Sequence, residues 1–564
     1  MKTILLSFVL TVVGISSFSQ NYKWAKNLGG PGVDRAQCVE TDAAGNVYVA
    51  GAFRDSMDAD PGAGVFKLVS NGMLDAFLAK YTENGDFVWA FSFGDIYDDE
   101  FLDIKIDNEG NLITTGSFME TIDLDPGPGT YNVTSVWNNN DGFLAKYTAS
   151  GSFTWGFSFG SAANDYGKHI QINANNDIYL AGYFNQSVDF DPGAGNTSLN
   201  GTFDIFIAKY DKNANFIWVF KIGANGSEND HGIALDVNEN VLVFGRFQQT
   251  VDFDPGNGTA NLTASSNHDL FFAKYTKGGN FVWVKQLSGP SSKYGKGIST
   301  DADSNIYISA SFGNSLDMDP SGNTVNATSP GVSPFAAKYN AAGDYQWHAV
   351  FSSPGGNAEA GGISYYSGNV YLIGTYSSSM NVSIGGNPVN LTSTGNEDFF
   401  VSKLDASNGN IVWINSLGGA DLDYGNDIKV LNNDVFYICG IFNGTCDFNF
   451  DTQNTNNLVS TGTHDAFFAK YDVFGVGIHE NWIRGNDLKI YPNPVLSGSL
   501  LQIASNNLMI EEVSIFDIAG RMVLNEKLNS GNRTSIQVSL NSGYYILSIK
   551  TEEGYITKPL EIIY

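Results

Sequence analysis

The stretch Asp204-Ile205-Phe206-Ile207-Ala208-Lys209-Tyr210, followed after a short turn by Phe216-Ile217-Trp218, recurs along the chain. Its lysine falls at Lys80, Lys146, Lys209, Lys274, Lys338, Lys403 and Lys470, with successive gaps of 66, 63, 65, 64, 65 and 67 residues. The tryptophan falls at Trp24, Trp89, Trp155, Trp218, Trp283, Trp347 and Trp413. A fixed period of this length means one supersecondary unit repeated, here seven times. Each copy reads as four strands. The first follows a Gly-rich or acidic loop, as in Gly167 to Asn173, and a tight turn leads to the second, Asn46 to Gly51. A longer connection carrying Asp-x-Asp-Pro-Gly leads to the third strand, which ends Ala-Lys-Tyr, and another short turn leads to the tryptophan strand. Turns such as Ala44-Gly45-Asn46 and Ser367-Gly368-Asn369 need positive φ, which Gly and Asn adopt cheaply. Four antiparallel strands repeated seven times predict an all-β, seven-bladed β-propeller; the apolar periods of a helical solenoid are absent.

The two ends of the array predict closure. A tryptophan strand, Tyr22-Lys23-Trp24-Ala25, precedes the first full copy, while the last copy, Phe467 to Tyr471, has none after it. Residues 22–27 are therefore expected to complete the seventh blade, which removes the open edges that invite aggregation. The propeller is placed at residues 20–474. The repeat resembles the family of secreted beta-propeller (SBBP) repeats, through Gly-Asn-Val-Tyr-Val-Ala-Gly (45–51), Asp-Ala-Phe-Leu-Ala-Lys-Tyr (75–81) and Trp89. The resemblance covers about residues 22–474 and implies a fold and export, not an activity.

After a short polar linker, 475–487, a different pattern begins at Leu488-Lys489-Ile490-Tyr491-Pro492-Asn493-Pro494. The alternating stretches Val513 to Ile518, Ala519 to Val523 and Gly543 to Lys550 predict a small antiparallel β-sandwich over 488–564. This unit resembles the C-terminal sorting domain of the type IX secretion system of Bacteroidetes, in Tyr-Pro-Asn-Pro, Asp-x-Ala-Gly-Arg, Gly-Tyr-Tyr-x-Leu and Lys558. The resemblance implies handling by the type IX secretion machinery and passage through the outer membrane, with release or surface attachment. At the other end, Met1-Lys2, the apolar run Ile4 to Val13 and the small residues around Ser17-Phe18-Ser19 read as a signal peptide over 1–19. No stretch is long enough for a transmembrane segment, which needs ~20 residues.

Composition narrows the function classes. Asp+Glu number 59 against 30 Lys+Arg, a net charge of −29 that repels phosphate backbones, so no nucleic acid partner is expected. Of the three cysteines, Cys439 and Cys446 flank one segment; pairing and two small buried thiols are both open. The six histidines are scattered, and no metal, nucleophile-elbow or phosphate-loop motif appears.

The recurring acids are the candidate metal site. Asp58 with Asp60, Asp123 with Asp125, Asp189 with Asp191, Asp252 with Asp254 and Asp317 with Asp319 each place two carboxylates on one side of a strand end. Such a pair with nearby carbonyls is a partial Ca2+ shell, or else a solvated turn in which Asp accepts backbone N–H bonds. Copy six has Asn381 and Ser383 there, and copy seven Asp447, Asn449 and Asp451. Up-and-down connectivity puts the short turns at one end of the disc. The Asp-x-Asp-Pro-Gly connections are expected at the other, with the loops holding Asp34, Asp98, Asp99, Asp165, Asp230 and Asp423. The Asp five residues before most of the lysines, the lysines themselves and the tryptophans recur too regularly for chemistry and read as structural. The expectation is an exported, non-enzymatic binding or adhesion propeller, secreted or on the outer surface of a Gram-negative cell. Its acidic long-looped face would take cations, Ca2+ foremost, or an unknown extracellular glycan or protein ligand. The alternative is a hydrolase acting on extracellular polysaccharide through loop-face carboxylates.

Overall fold

The computed structural model describes residues 19–564 apart from 225, 227, 432–434, 451–453, 475–487, 506–508, 518–521, 552–553 and 564. All but the last residue of the expected leader, and the whole expected linker, lie outside the described residues. Contacts divide the chain into residues 22–472 and the remainder.

Seven four-stranded antiparallel sheets are found among the described residues of the first unit. In the first, Asp34–Thr41, Val47–Asp58, Lys67–Tyr81 and Phe87–Phe93 lie side by side in chain order. The seventh pairs Tyr424–Val430, Val435–Phe442 and Asp465–Phe474 with Ser19–Leu28, so the N-terminal strand supplies the missing edge as expected. The first strands of successive sheets touch in sequence, and that of sheet one touches both its successor and that of sheet seven. The sheets are thus the blades of a closed β-propeller with these strands innermost.

The repeat explains why the blades adhere. Alternate residues of the second and third strands are apolar on both faces, and each core spans two blades: Val49 and Tyr81 of blade 1 pack with Tyr437 and Phe468 of blade 7. The tryptophan indole donates to the turn carbonyl of the following blade, Trp89 to Ala149 at 3.3 Å and Trp24 to Glu83 at 3.2 Å. The repeated lysine does likewise, Lys80 to Ala149 and Lys470 to Glu83, both at 3.1 Å. Where a lysine also meets an acid, the acid belongs to its own blade, as in Lys146–Asp107 at 2.7 Å, rather than to the neighbour.

The C-terminal unit packs a three-stranded against a five-stranded sheet around Leu501, Val513, Ile515, Ile536, Leu547 and Leu560. It departs from the expected all-antiparallel pattern at Val495–Leu496, which pairs parallel with Ile562 and Ile563. Residues 518–521, expected to open one of its strands, lie outside the described residues.

Candidate functional site

The acid pairs stand elsewhere than the connectivity suggested. At the end of every second strand one residue takes a left-handed φ: Asp55 (63°), Glu120 (49°), Gln186 (52°), Gln249 (55°), Asn314 (57°), Ser378 (66°) and Gly444 (69°). The chain turns sharply there and runs back along the outer side of the blade as a hairpin; that of blade 6, Ser379–Ile384, touches the outer strand Ile411–Leu417. In six blades the residue between the two acids, or between Asp447 and Asn449 in blade 7, is fully buried: Ala59, Leu124, Phe190, Phe253, Met318 and Phe448. Its carbonyl accepts the hydroxyl of the Ala-Lys-Tyr tyrosine at 2.9 to 3.0 Å. Blade 6, which lacks the acid pair, has Leu404 in place of that tyrosine. The pairs therefore sit at the rim beside the outermost strands, not round the mouth of the disc.

Within each pair the carboxylates serve their own loop. Asp58 Oδ1 accepts the N–H groups of Asp60 at 3.1 Å and Phe66 at 2.9 Å, and Asp60 Oδ1 accepts that of Gly62 at 2.8 Å. The first acid of every other pair, Asp123, Asp189, Asp252 and Asp317, likewise accepts two loop amides on Oδ1. Of the second acids, Asp125 accepts the Gly127 N–H, Asp191 that of Gly193 and Asp254 that of Gly256, each at 2.8 Å; Asp319 accepts that of Ser321 at 2.9 Å.

Asp58 with Asp60, and the pairs Asp123/Asp125, Asp189/Asp191, Asp252/Asp254 and Asp317/Asp319, expected as partial Ca2+ shells, each give one carboxylate oxygen per acid to their own loop. Asp125, Asp191 and Asp254, expected as metal ligands, are not gathered with further acids but stand one pair to a blade, as do Asp60 and Asp319. Among the described residues no group of three or more His, Cys, Asp or Glu side chains is placed to hold a metal. The physical reason is the tight turn. The Oδ2 atoms of Asp60, Asp125, Asp191 and Asp254 lie 2.0 to 2.2 Å from where a Cβ on Gly64, Gly129, Gly195 and Gly258 would stand, so a side chain there would displace the carboxylate on which the loop closes. Asp447 accepts from Asn449 and Asn456; Asp451 lies outside the described residues.

Several acids predicted for the long-looped end are buried at blade interfaces. Asp34, Asp99, Asp165 and Asp423 each hold the loop before an inner strand, Asp99 through the N–H groups of Asp95 at 2.8 Å and Met119 at 3.0 Å. Each stands beside the Asp five residues before the repeated lysine of the previous blade: Asp465, Asp75, Asp141 and Asp398; Glu228 stands so beside Asp204. Burial foremost raises Asp34, Asp99 and Asp141 to about 8, Glu228 to about 7 and Asp75, Asp165 and Asp423 to about 6. One interface replaces an acid by Lys293, whose ammonium meets Asp269 at 2.8 Å and three backbone carbonyls. Another has Ser333 and Asn357. Cys38, Cys439 and Cys446 are buried free thiols.

The seven-fold pattern breaks in the central channel, whose cavity of about 690 Å³ is lined from all seven inner strands. Each inner strand carries a bulge, and fourteen and sixteen residues past the tryptophan its side chains line or flank this space. Blades 7, 1, 2 and 3 place Asp427 and Lys429, Cys38 and Glu40, Asp103 and Lys105, His169 and Gln171 there. Blades 4, 5 and 6 place Gly232 and Ala234, Gly297 and Ser299, and Gly361 with Gly362 and Ile363. At these two positions one arc is charged and the opposite arc is mostly glycine and small residues, whose missing side chains leave the void; Lys296, Ser299, Glu359 and Ser364 also line that side.

The charged arc is bonded within and across blades. Lys429 Nζ of blade 7 meets Glu40 Oε1 of blade 1 at 2.6 Å, and Lys105 Nζ meets Asp103 Oδ1 at 2.7 Å. Asp103 Oδ2 accepts the Ile170 N–H of blade 3 at 2.8 Å, and Asp427 Oδ2 the Val39 N–H of blade 1 at 3.1 Å. Burial opposes the charge on Lys105, but the carboxylates of Asp103, Glu40 and Asp427 outweigh it and raise its pKa. Burial raises Asp427, with Lys105 opposing, and holds the His169 imidazole well below its ordinary range, helped by Lys168 and Lys105. Sequence reading missed this set because its members lie about one repeat apart in the chain; aligning the copies on the tryptophan and asking which position varies would have found it.

The end of the disc with the long loops also exposes unrepeated apolar side chains, Ile96 and Val136 among them. Trp137 is 81% exposed and Phe203 46%, both at a φ of 59°, where a bulky residue is uncommon. Asn139 donates to the Trp137 carbonyl at 3.3 Å and to Ala162 at 3.1 Å, fixing this corner.

Comparison with known proteins gives two family matches. Residues 489–563 match a secretion system C-terminal sorting domain, and residues 282–311 a beta-propeller repeat. An uncharacterized WD repeat-containing protein of Acanthamoeba polyphaga mimivirus is 23% identical over 85% of this chain, which spans 41% of that protein's length. Among solved structures, a polysaccharide lyase described as an ulvan lyase aligns with 75% of this chain and 93% of its own, at 12% identity and a TM-score of 0.41. A quinohemoprotein alcohol dehydrogenase from Pseudomonas putida aligns over 87% and 81%, at 11% and 0.38, and Drosophila Semaphorin 2a over 97% and 98%, at 8% and 0.35.

Proposed function

We propose that this chain is an exported, non-enzymatic binding propeller, carried out of the cell by its type IX sorting domain, that engages an extracellular ligand at the long-looped end. The sorting-domain match implies a secreted or cell-surface protein of Bacteroidetes-type bacteria and handling by the type IX secretion machinery. Among the described residues no helix is long and apolar enough to cross a membrane. The observation that carries the binding role is that Trp137, Phe203 and the side chains of the channel depart from the repeat where they meet solvent or the cavity. Loops on a rigid scaffold commonly carry function. Binding is favoured over hydrolysis because Glu40 is committed to Lys429 and one backbone amide, Asp103 to Lys105 and two amides, and Asp427 to two amides. A glycosidase needs one carboxylic acid and one carboxylate facing the scissile bond.

The test is retention of the purified full-length protein on insoluble polysaccharides (cellulose, chitin, xylan, mannan) and immobilised matrix protein, with released sugar measured in parallel. Retention without release is expected, and Trp137→Ala is expected to weaken it at least fivefold without moving the melting temperature. Release of soluble sugar would make the chain a hydrolase.

In this reading the rim pairs, Asp58 with Asp60 and their counterparts in the other blades, form turns, since both Oδ1 atoms are taken by loop amides. Titration calorimetry with Ca2+ is expected to show no saturable heat below about 1 mM, the weak limit of extracellular calcium modules. Saturable binding at several equivalents would give the rim a metal role instead.

A further inference from the structure

We propose that the central channel is a saccharide site, taking a neutral sugar unit with its hydroxyl edge on the charged arc and its C–H face against Gly361, Gly362 and Ile363. The proposal rests on the binding role above and names the ligand class of its channel. The volume, about 690 Å³, lies in the usual range for small-molecule sites of ~300–1,000 Å³.

Three ligand classes fit the arc poorly. Glu40, Asp103 and Asp427 outnumber Lys105 and Lys429 in a chain of net charge −29, so an anion gains no net attraction. A metal cation at Asp427 would meet the field of the Lys105 ammonium. A wholly apolar ligand would strip water from paired charges without replacing its hydrogen bonds. A polyhydroxylated neutral ligand both donates and accepts, and charged partners make those bonds stronger than neutral ones.

The other arc completes the match. Ile363 is the partly exposed isoleucine of the cavity lining, Ile233 and Ile298 being packed into blade cores, and a Cβ on Gly362 would lie 2.9 Å from Asp427 Oδ1, so glycine there leaves room beside that carboxylate. A sugar ring is likewise two-sided, with an apolar face and a polar edge. The mouth is marked by Lys296 and Glu359, which meet at 3.5 Å and are about half exposed, 42% and 57%.

The test is calorimetry of the full-length protein with neutral gluco-, manno-, xylo- and chito-oligosaccharides, their sulfated or uronate counterparts, and spermidine. Ser364→Trp fills the channel from the small-residue arc, and Lys296→Trp narrows its exposed mouth should the first variant fold poorly. Val237→Ser at the short-turn end is the control. Saturable binding of a neutral oligosaccharide, weakened at least tenfold by either channel variant and unchanged by the control, is expected. Neutral binding indifferent to both channel variants overturns the channel assignment and leaves the binding role standing. Binding only of anionic sugars or of spermidine overturns the ligand class, and no binding at all overturns the proposal. Cleavage of a bound oligosaccharide overturns the binding role itself.

Discussion

Removing the N-terminal strand is expected to open the ring. A chain beginning at Gly29 loses Leu28, fully buried, and Trp24, packed against Tyr437 and Phe468. Burying such a side chain is worth about 1.5–3 kcal/mol, so the two together approach the lower end of a domain's net stability of about 5–15 kcal/mol. It also loses the Trp24 bond to Glu83, the Lys23–Asp472 ion pair at 2.6 Å and the bond from Asn27 to Asp465 at 2.9 Å. What remains is the bare edge of Asp465–Phe474, a template for pairing with another chain. The truncated protein is expected to melt at least 5 °C lower and to aggregate on warming, both measured by scanning fluorimetry with light scattering. A synthetic peptide of residues 19–28 is expected to restore part of the loss. An unchanged melt without aggregation would mean that the strand is not part of the wheel.

Stability is expected to fall as pH rises through the neutral range. Asp34, Asp99 and Asp141 have folded pKa values of about 8 against about 3.9 in the unfolded chain. The folded state therefore binds more protons between these limits, and stability declines with pH there. The contribution of these groups is complete below about pH 4 and is lost as pH climbs through 6 for Asp75, Asp165 and Asp423 and through 8 for the first three. Opposing groups act elsewhere. Burial raises Asp107 and Asp236, but bonds from Lys146 and Asn111, and from Lys274 and Asn240, together outweigh it and lower them, so their contribution is lost as pH falls below the ordinary carboxylate range. At roughly 1 °C per kcal/mol for a unit of about 450 residues, the melting temperature is expected to be at least 5 °C higher at pH 5.5 than at pH 8.5. Asp99→Asn, which keeps the shape and removes the charge, is expected to flatten the slope. A melting temperature that rises from pH 5.5 to 8.5 would contradict the buried acid pairs.

The fold was legible because it is written seven times. The lysine and tryptophan spacing fixes the blade, the unpaired strand at 22–27 fixes closure, and the terminal motifs fix the sorting domain. The position of the acid pairs was not legible. Counting connections assigns a loop to an end of the disc, but Asp55, Glu120 and Gln186 adopt left-handed φ without being glycine, and the hairpin folds back to bury Ala59, Leu124 or Phe190. Asp125, Asp191 and Asp254 are carried to the rim with it, away from the face on which a cation shell was expected, and each ends as the cap of its own glycine turn. The channel was hidden for a different reason. A repeat announces what is constant, whereas Asp103, Lys105, Asp427 and Lys429 matter because blades 4 to 6 put uncharged residues, mostly glycine and small ones, where they stand.

Hydrogen exchange of the intact protein, followed by mass spectrometry on the peptide covering residues 22–28, tests the closed wheel most directly. The account predicts that this peptide exchanges as slowly as residues 465–472 and opens only with the whole propeller. Exchange within seconds, as in a frayed terminus, while residues 465–472 stay protected, would contradict it.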